Sequence, residues 1–161
     1  MSINESPQVE FYPLPAGMKL PFSEAVRVGS MLYLSGQMGV DASAKLVPGG
    51  IEAETRQILA NVRAALERHG SSMDRVVKCL VMLADMAEWP AMNKVYLEHF
   101  SAPLPARSAF GASGLALGGR IEMECIAVVG DRSPGHPERS EGSARHGTIP
   151  RSARDDNPSL S

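Results

Sequence analysis

The run Val76 to Leu83 (VVKCLVML) is apolar on both alternating sides except at Lys78. A strand of that kind belongs inside a sheet covered on both faces, and this requirement limits what the rest of the chain can build. Helical material is scarce. One clear helix spans Ile51 to His69, where Ile51, Ile58, Leu59, Val62, Ala65 and Leu66 recur at helical spacings. Glu52 and Glu54 fall in its first turn and Arg68 and His69 in its last, matching the helix dipole, and Gly70 is placed for a left-handed C-terminal cap. A second helix is expected from Ala87 to Phe100. Asp85 and Glu88 have the spacing of a capping box there, Pro90 falls in the first turns, and Trp89, Met92, Tyr96 and His99 or Phe100 form the stripe.

The strands read more simply. Val26 to Ser35 (VRVGSMLYLS) is a hairpin around Gly29-Ser30, and Val9 to Tyr12 is a candidate edge strand. Gly36 to Gly50 reads as a polar, glycine-rich loop. Arg107 to Phe110 is a short strand, and Arg120 to Val129 alternates Ile121, Met123, Cys125, Ala127 and Val129 against Glu122, Glu124, Ile126 and Val128. The order strand, hairpin, helix, strand, helix, strand, strand predicts an α+β fold, a mixed β-sheet with two helices packed on one face. The opposite face, expected to carry Val76, Leu80 and Met82 or their alternates, then has no layer of its own. Burial by self-association is inferred from that deficit.

Composition narrows the function classes. The 161 residues carry a formal net charge of −2, which gives no basic footprint for nucleic acid. The opening MSINESPQVEF has acids where a secretion signal would carry lysines, and no apolar run is long enough to span a membrane. Cys79 and Cys125 cannot make a disulfide framework, so a reducing, cytoplasmic setting is expected. In residues 131–161 only Ala144, Ile149, Ala153 and Leu160 are hydrophobic, and five arginines balance five acids. Such a segment cannot bury enough apolar surface to offset its own ordering. The expected organisation is an N-terminal arm over 1–17 with the candidate edge strand, one folded domain over 18–130, and a disordered tail over 131–161.

Chemical signatures of the usual kinds are absent: no CxxC, HExxH, GxSxG or helix-opening GxGxxG, and no metal-ligand spacing among the four histidines. What stands out is a polar set on apolar strands. Glu122 and Glu124 are two residues apart and so share one sheet face, where carboxylates are costly unless paired or wet. Arg107, on the neighbouring strand, is expected to reach that face. The set reads either as a solvated edge with an Arg–Glu structural pair or as a site where a guanidinium grips a substrate carboxylate beside a proton-handling glutamate.

The segments PFSEAVRVGSMLYLSGQ (21–37), VYLEHF (95–100) with Asn93 upstream, PARS (105–108) and RIEMECIAV (120–128) together resemble the Rid, or YjgF, family of reactive intermediate (imine) deaminases over roughly residues 18–129. PARS followed by I-E-x-E-x-I-A is specific in combination. The resemblance implies a chorismate-mutase-like, homotrimeric fold with clefts between subunits, in which copies of the chain supply the missing layer. It also implies cofactor-free hydrolysis of 2-imino acids and enamines, such as 2-aminoacrylate or 2-iminobutanoate, released by pyridoxal-phosphate-dependent dehydratases. By the same resemblance Arg107 binds the substrate carboxylate and Glu122 positions water. Phe22, Gly36, Asn93 and Ala109 line the cleft, no metal takes part, and Ser108 follows the arginine as the pattern has it. Phe22 stands where tyrosine is usual, which removes a hydroxyl from the wall and bears on substrate preference. The alternative is a non-catalytic trimeric small-carboxylate-binding or chaperone-like protein.

Overall fold

A computed structural model of the chain describes residues 7–130; the expected tail over 131–161 lies outside the described residues. Glycine-first turn chemistry starts the sheet. Gly29, with φ 58°, and Ser30 join β2 (Ala25–Val28) to β3 (Met31–Leu34) with Val28 opposite Met31. Positive φ at the first turn position alone is the type II′ hairpin, whose twist matches that of the strands. β1 (Val9–Tyr12) pairs antiparallel with β2 on the outer side.

The central strands are β5 (Val76–Leu83) and β7 (Ile121–Val128), and β6 (Ala106–Gly111) lies parallel to β5 at the far edge. The order is β1-β2-β3-β7-β5-β6. A further two-residue strand, β4 (Gln37–Met38), pairs with β7 through Gln37 opposite Met123 and Met38 opposite Glu122. The sequence reading placed a loop there.

Two helices cover one face of this mixed sheet. α1 (Gly50–Arg68) buries the apolar stripe read from its spacing, and Ile58, Leu59, Val62, Ala65 and Leu66 are all fully inaccessible. Burying a side chain of that size contributes roughly 1.5–3 kcal/mol. Its C-terminus closes as a Schellman motif: Ser71 N–H donates to Leu66 O (2.8 Å), Gly70 N–H to Glu67 O (3.3 Å), and Gly70 has φ 78°. α2 (Trp89–His99) starts later than its spacing suggested, after a 3₁₀ turn at Met86–Glu88. Half of the expected capping box forms. Asp85 Oδ1 accepts the Ala87 N–H (2.9 Å), while the Glu88 carboxylate turns away to Arg120 (2.8 Å).

A register irregularity between Val76 and Lys78 decides which side chains face the helices. Val76, Cys79, Val81 and Leu83 are buried. Val76 therefore joins the core, contrary to the sequence expectation, because the irregularity shifts its phase against Leu80 and Met82. The other face, uncovered among the described residues, presents Tyr33, Lys78, Leu80, Met82, Ser108, Phe110, Glu122, Glu124 and Ile126, with Tyr33 43% and Phe110 47% exposed. Among the described residues no helix is long and apolar enough to cross a membrane.

Candidate functional site

Register places the proposed site residues in two groups. Arg107 is paired with Cys79, which in turn faces Cys125, so Arg107 points to the helix-covered side of β6. Its guanidinium carbon lies 4.6 Å from the ring centre of Tyr96 and 5.6 Å from that of Trp89, both on α2. Aromatic faces attract the cation and hold it in place. No carboxylate pairs with Arg107 among the described residues. It lines a cavity of about 400 Å³ with Asn93, Tyr96, Leu97, Leu104 and Pro105. Ala109 follows on the same side of β6, half-buried and packed against the core. A free guanidinium with fixed orientation beside an amide side chain suits a small carboxylate.

Glu122 belongs to the other group. It alternates with the buried Ile121 and Met123 and so lies on the uncovered face, with β5 between its strand and that of Arg107. The expectation that Arg107 reaches the face of Glu122 and Glu124 is therefore incorrect within one chain. Paired residues of a ladder share a face, and Arg107 shares its face with Cys125. The Arg–Glu structural pair weighed from sequence is likewise absent among the described residues.

Around Glu122 the chain leaves deliberate space. A Cβ built on Gly36 would stand 2.0 Å from Glu122 Oε1, so the carboxylate occupies the volume a side chain would need. Gly36 follows β3, and Ser35 Oγ donates to Ser23 O (2.7 Å), which sets the loop bearing Phe22 beside this segment. Phe22 itself is 50% exposed. Burial, followed by the charge of Glu124, pushes the Glu122 carboxyl above the usual carboxylate range. Ser108 is exposed on this face, where its hydroxyl accepts from Lys78 Nζ (2.8 Å).

Sequence reasoning missed Tyr96 and Trp89 as the brace for Arg107, because aromatics at helical spacing read equally well as core. Tyr96 serves both ends: its ring lies under the guanidinium while its hydroxyl donates to Cys79 Sγ (3.6 Å). Cys79 and Cys125 are buried free thiols with sulfurs 3.3 Å apart.

The family model described as Endoribonuclease L-PSP matches residues 16–129, and the chain belongs to this family, the YjgF or Rid family. It is 45% identical to a 2-iminobutanoate/2-iminopropanoate deaminase of Capra hircus over 111 residues, covering 68% of this chain and 81% of that protein. Its identity to the protein of the same name from Homo sapiens is 40%, with the same coverage. Among solved structures, RidA from an Antarctic Psychrobacter matches with TM-score 0.66 and 34% identity, over 78% of this chain and 99% of that one. Yeast Mmf1 matches with TM-score 0.67 and 35% identity, over 78% and 98%.

Proposed function

We propose that this protein hydrolyses small 2-imino acids and their enamine tautomers to 2-oxo acids and ammonia, without a cofactor, in clefts between the copies of a homotrimer. The observation that carries the reading is Arg107, a guanidinium with no carboxylate partner among the described residues, braced by Trp89 and Tyr96 at a cavity shared with Asn93. The deaminase names of the similar proteins support the same reaction. The cleft supplies what an imine requires. Its carbon is already electrophilic, so fixing the carboxylate on Arg107 and a water in line provides most of the assistance. Water oxygen adds to the imine carbon and the C=N electron pair moves to nitrogen. Glu122 accepts the water proton and returns one to that nitrogen. Glu122 then takes the hydroxyl proton of the carbinolamine and passes it to the amino nitrogen, and C=O forms as the C–N bond breaks and ammonia leaves. A carboxyl held above its ordinary range is suited to both halves of that proton traffic.

The split supports a site shared between copies of the chain, and the number three is what the family resemblance implies. Arg107 and Glu122 face opposite sides of one sheet, so a cleft using both takes them from different chains, and the uncovered face is the surface where copies would meet. The substrates are expected from pyridoxal-phosphate-dependent dehydratases, whose released enamines are short-lived, in the cytoplasm.

Coupling a threonine or serine dehydratase to the protein and following loss of the imine tests the reading. Wild type accelerates that loss, and Arg107→Ala lowers kcat/KM by roughly 10- to 100-fold, the worth of charged hydrogen bonds. Equal rates with both proteins would leave the small-carboxylate-binding alternative, measured by retention of 2-oxobutanoate.

A further inference from the structure

Three polar side chains, Glu54, Gln57 and Asn61, run along one side of α1 at helical spacing. Such a stripe ordinarily faces water; this one faces β4 and the entry to β7. Asn61 Nδ2 donates to the carbonyls of Met38 (3.1 Å) and Val40 (3.0 Å), and Asn61 Oδ1 accepts from Gln57 Nε2 (2.9 Å). Glu54 Oε2 accepts the backbone N–H of Arg120 (2.8 Å). Glu54 is 5% exposed and no cation pairs with it among the described residues, so this amide is a principal compensation for burying the carboxylate. The backbone is closely packed on both sides: a Cβ on Gly39 would stand 2.8 Å from Glu54 Cα, and one on Gly119 would stand 2.3 Å from Met38 Cε.

These contacts bracket Glu122. Met38 is its register partner on β4, and Arg120 precedes it by two residues, directly after the Gly118-Gly119 pair in which Gly118 has φ 73°. Both backbone segments beside Glu122 are thus hung from α1, at the end of β7 that follows a loop. We propose that Glu54 is a positioning residue: by holding the Arg120 N–H while Asn61 holds β4, it sets where the Glu122 carboxylate lies against Gly36. This inference rests on the reading of Glu122 as the group that handles water.

Steady-state imine hydrolysis by Glu54→Ala, Glu54→Gln and Asn61→Asp tests it, with melting temperature recorded for each. Glu54→Ala lowers kcat roughly 10- to 100-fold, the effect of misplacing a reacting group by about an ångström. KM changes less than about twofold, because Arg107 and its cavity are untouched. Glu54→Gln keeps an acceptor oxygen for Arg120 and restores most of kcat. Asn61→Asp keeps the shape but loses both N–H donors, so it gives the same selective loss of kcat and decides the matter if Glu54→Ala does not fold. The acid limb of the kcat profile moves to lower pH in the impaired variants as Glu122 gains water. Lower melting temperatures with unchanged kcat, KM and acid limb would reduce the stripe to a structural clip and overturn the proposal. A Glu122→Gln variant with wild-type kcat would instead overturn the reading beneath it.

Discussion

Gly36 shows how one missing atom shapes the candidate site. Its requirement is steric: an added Cβ meets Glu122 Oε1 at 2.0 Å and the carboxyl carbon at 2.9 Å. Gly36→Ala is expected to displace the carboxylate and reduce imine hydrolysis at least about tenfold, with little change in melting temperature because the flexible end of a side chain can yield. Gly39 gives the contrast. Its Cβ would meet Glu54 Cα at 2.8 Å, so Gly39→Ala forces helix against strand and should cost about 1–3 kcal/mol, read as a lower denaturation midpoint. Glu122 itself bears on stability through its raised carboxyl. A carboxyl whose folded pKa is raised favours the fold while protonated and loses that contribution as pH rises through the folded value. Glu122→Gln is therefore expected to abolish most activity and to melt higher than wild type at neutral pH. The difference should vanish below the ordinary carboxylate range, where both side chains are neutral. That Glu122 and Glu124 share one face was legible from two carboxylates two residues apart on an apolar strand. That Arg107 faces the other way was not, since the order β7-β5-β6 decides it and no local pattern carries that order.

At the scale of elements, legibility tracked how locally each element is stabilised. α1 announces itself through its apolar stripe and its Gly70 cap. β4 does not: two residues cannot show a period, and Asn61, 21 and 23 positions away in sequence from Val40 and Met38, holds the carbonyls of its last residue and the segment beyond. The junction of α1 with the β1–β2 edge is equally non-local. Glu24, 6% exposed, receives Arg68 and His69 (2.8 Å), and the Tyr12 ring stacks on His69 with centroids 4.3 Å apart. Burial by itself would raise the Glu24 carboxyl, but hydrogen bonds from Arg68 and His69 outweigh it and hold the group below its usual range. A lowered folded pKa contributes stability above the unfolded value, and that contribution fades as pH falls through the folded one. Glu24→Gln is accordingly expected to lower the melting temperature at pH 7, with the gap to wild type closing on acidification below the reference value of 4.5. Circular dichroism melts across pH 3 to 7, a range of ordinary carboxylate titration, measure both curves.

For the molecule as a whole, the shortage of covering layers visible in VVKCLVML and the separation of Arg107 from Glu122 are both answered by the proposed arrangement, in which each cleft joins two chains. That arrangement makes a quantitative prediction for mixed assemblies. Arg107→Ala and Glu122→Gln proteins are each expected to be nearly inactive alone. Co-refolded in equal amounts, they form trimers in which a given cleft draws its arginine from one chain and its glutamate from the next. Half of the arginine positions are intact, and half of those face an intact glutamate, so about a quarter of wild-type activity returns. A cleft built from a single chain would recover nothing at any mixing ratio, because no chain in the mixture carries both groups. Sedimentation places the same distinction on the unmutated protein: a mass near the 17.2 kDa of one chain would leave Arg107 and Glu122 on opposite faces with no partner to unite them. Recovered activity that falls as the mixture is diluted toward dissociation, while the melting temperature falls in parallel, would tie the uncovered sheet face to catalysis as well as to stability.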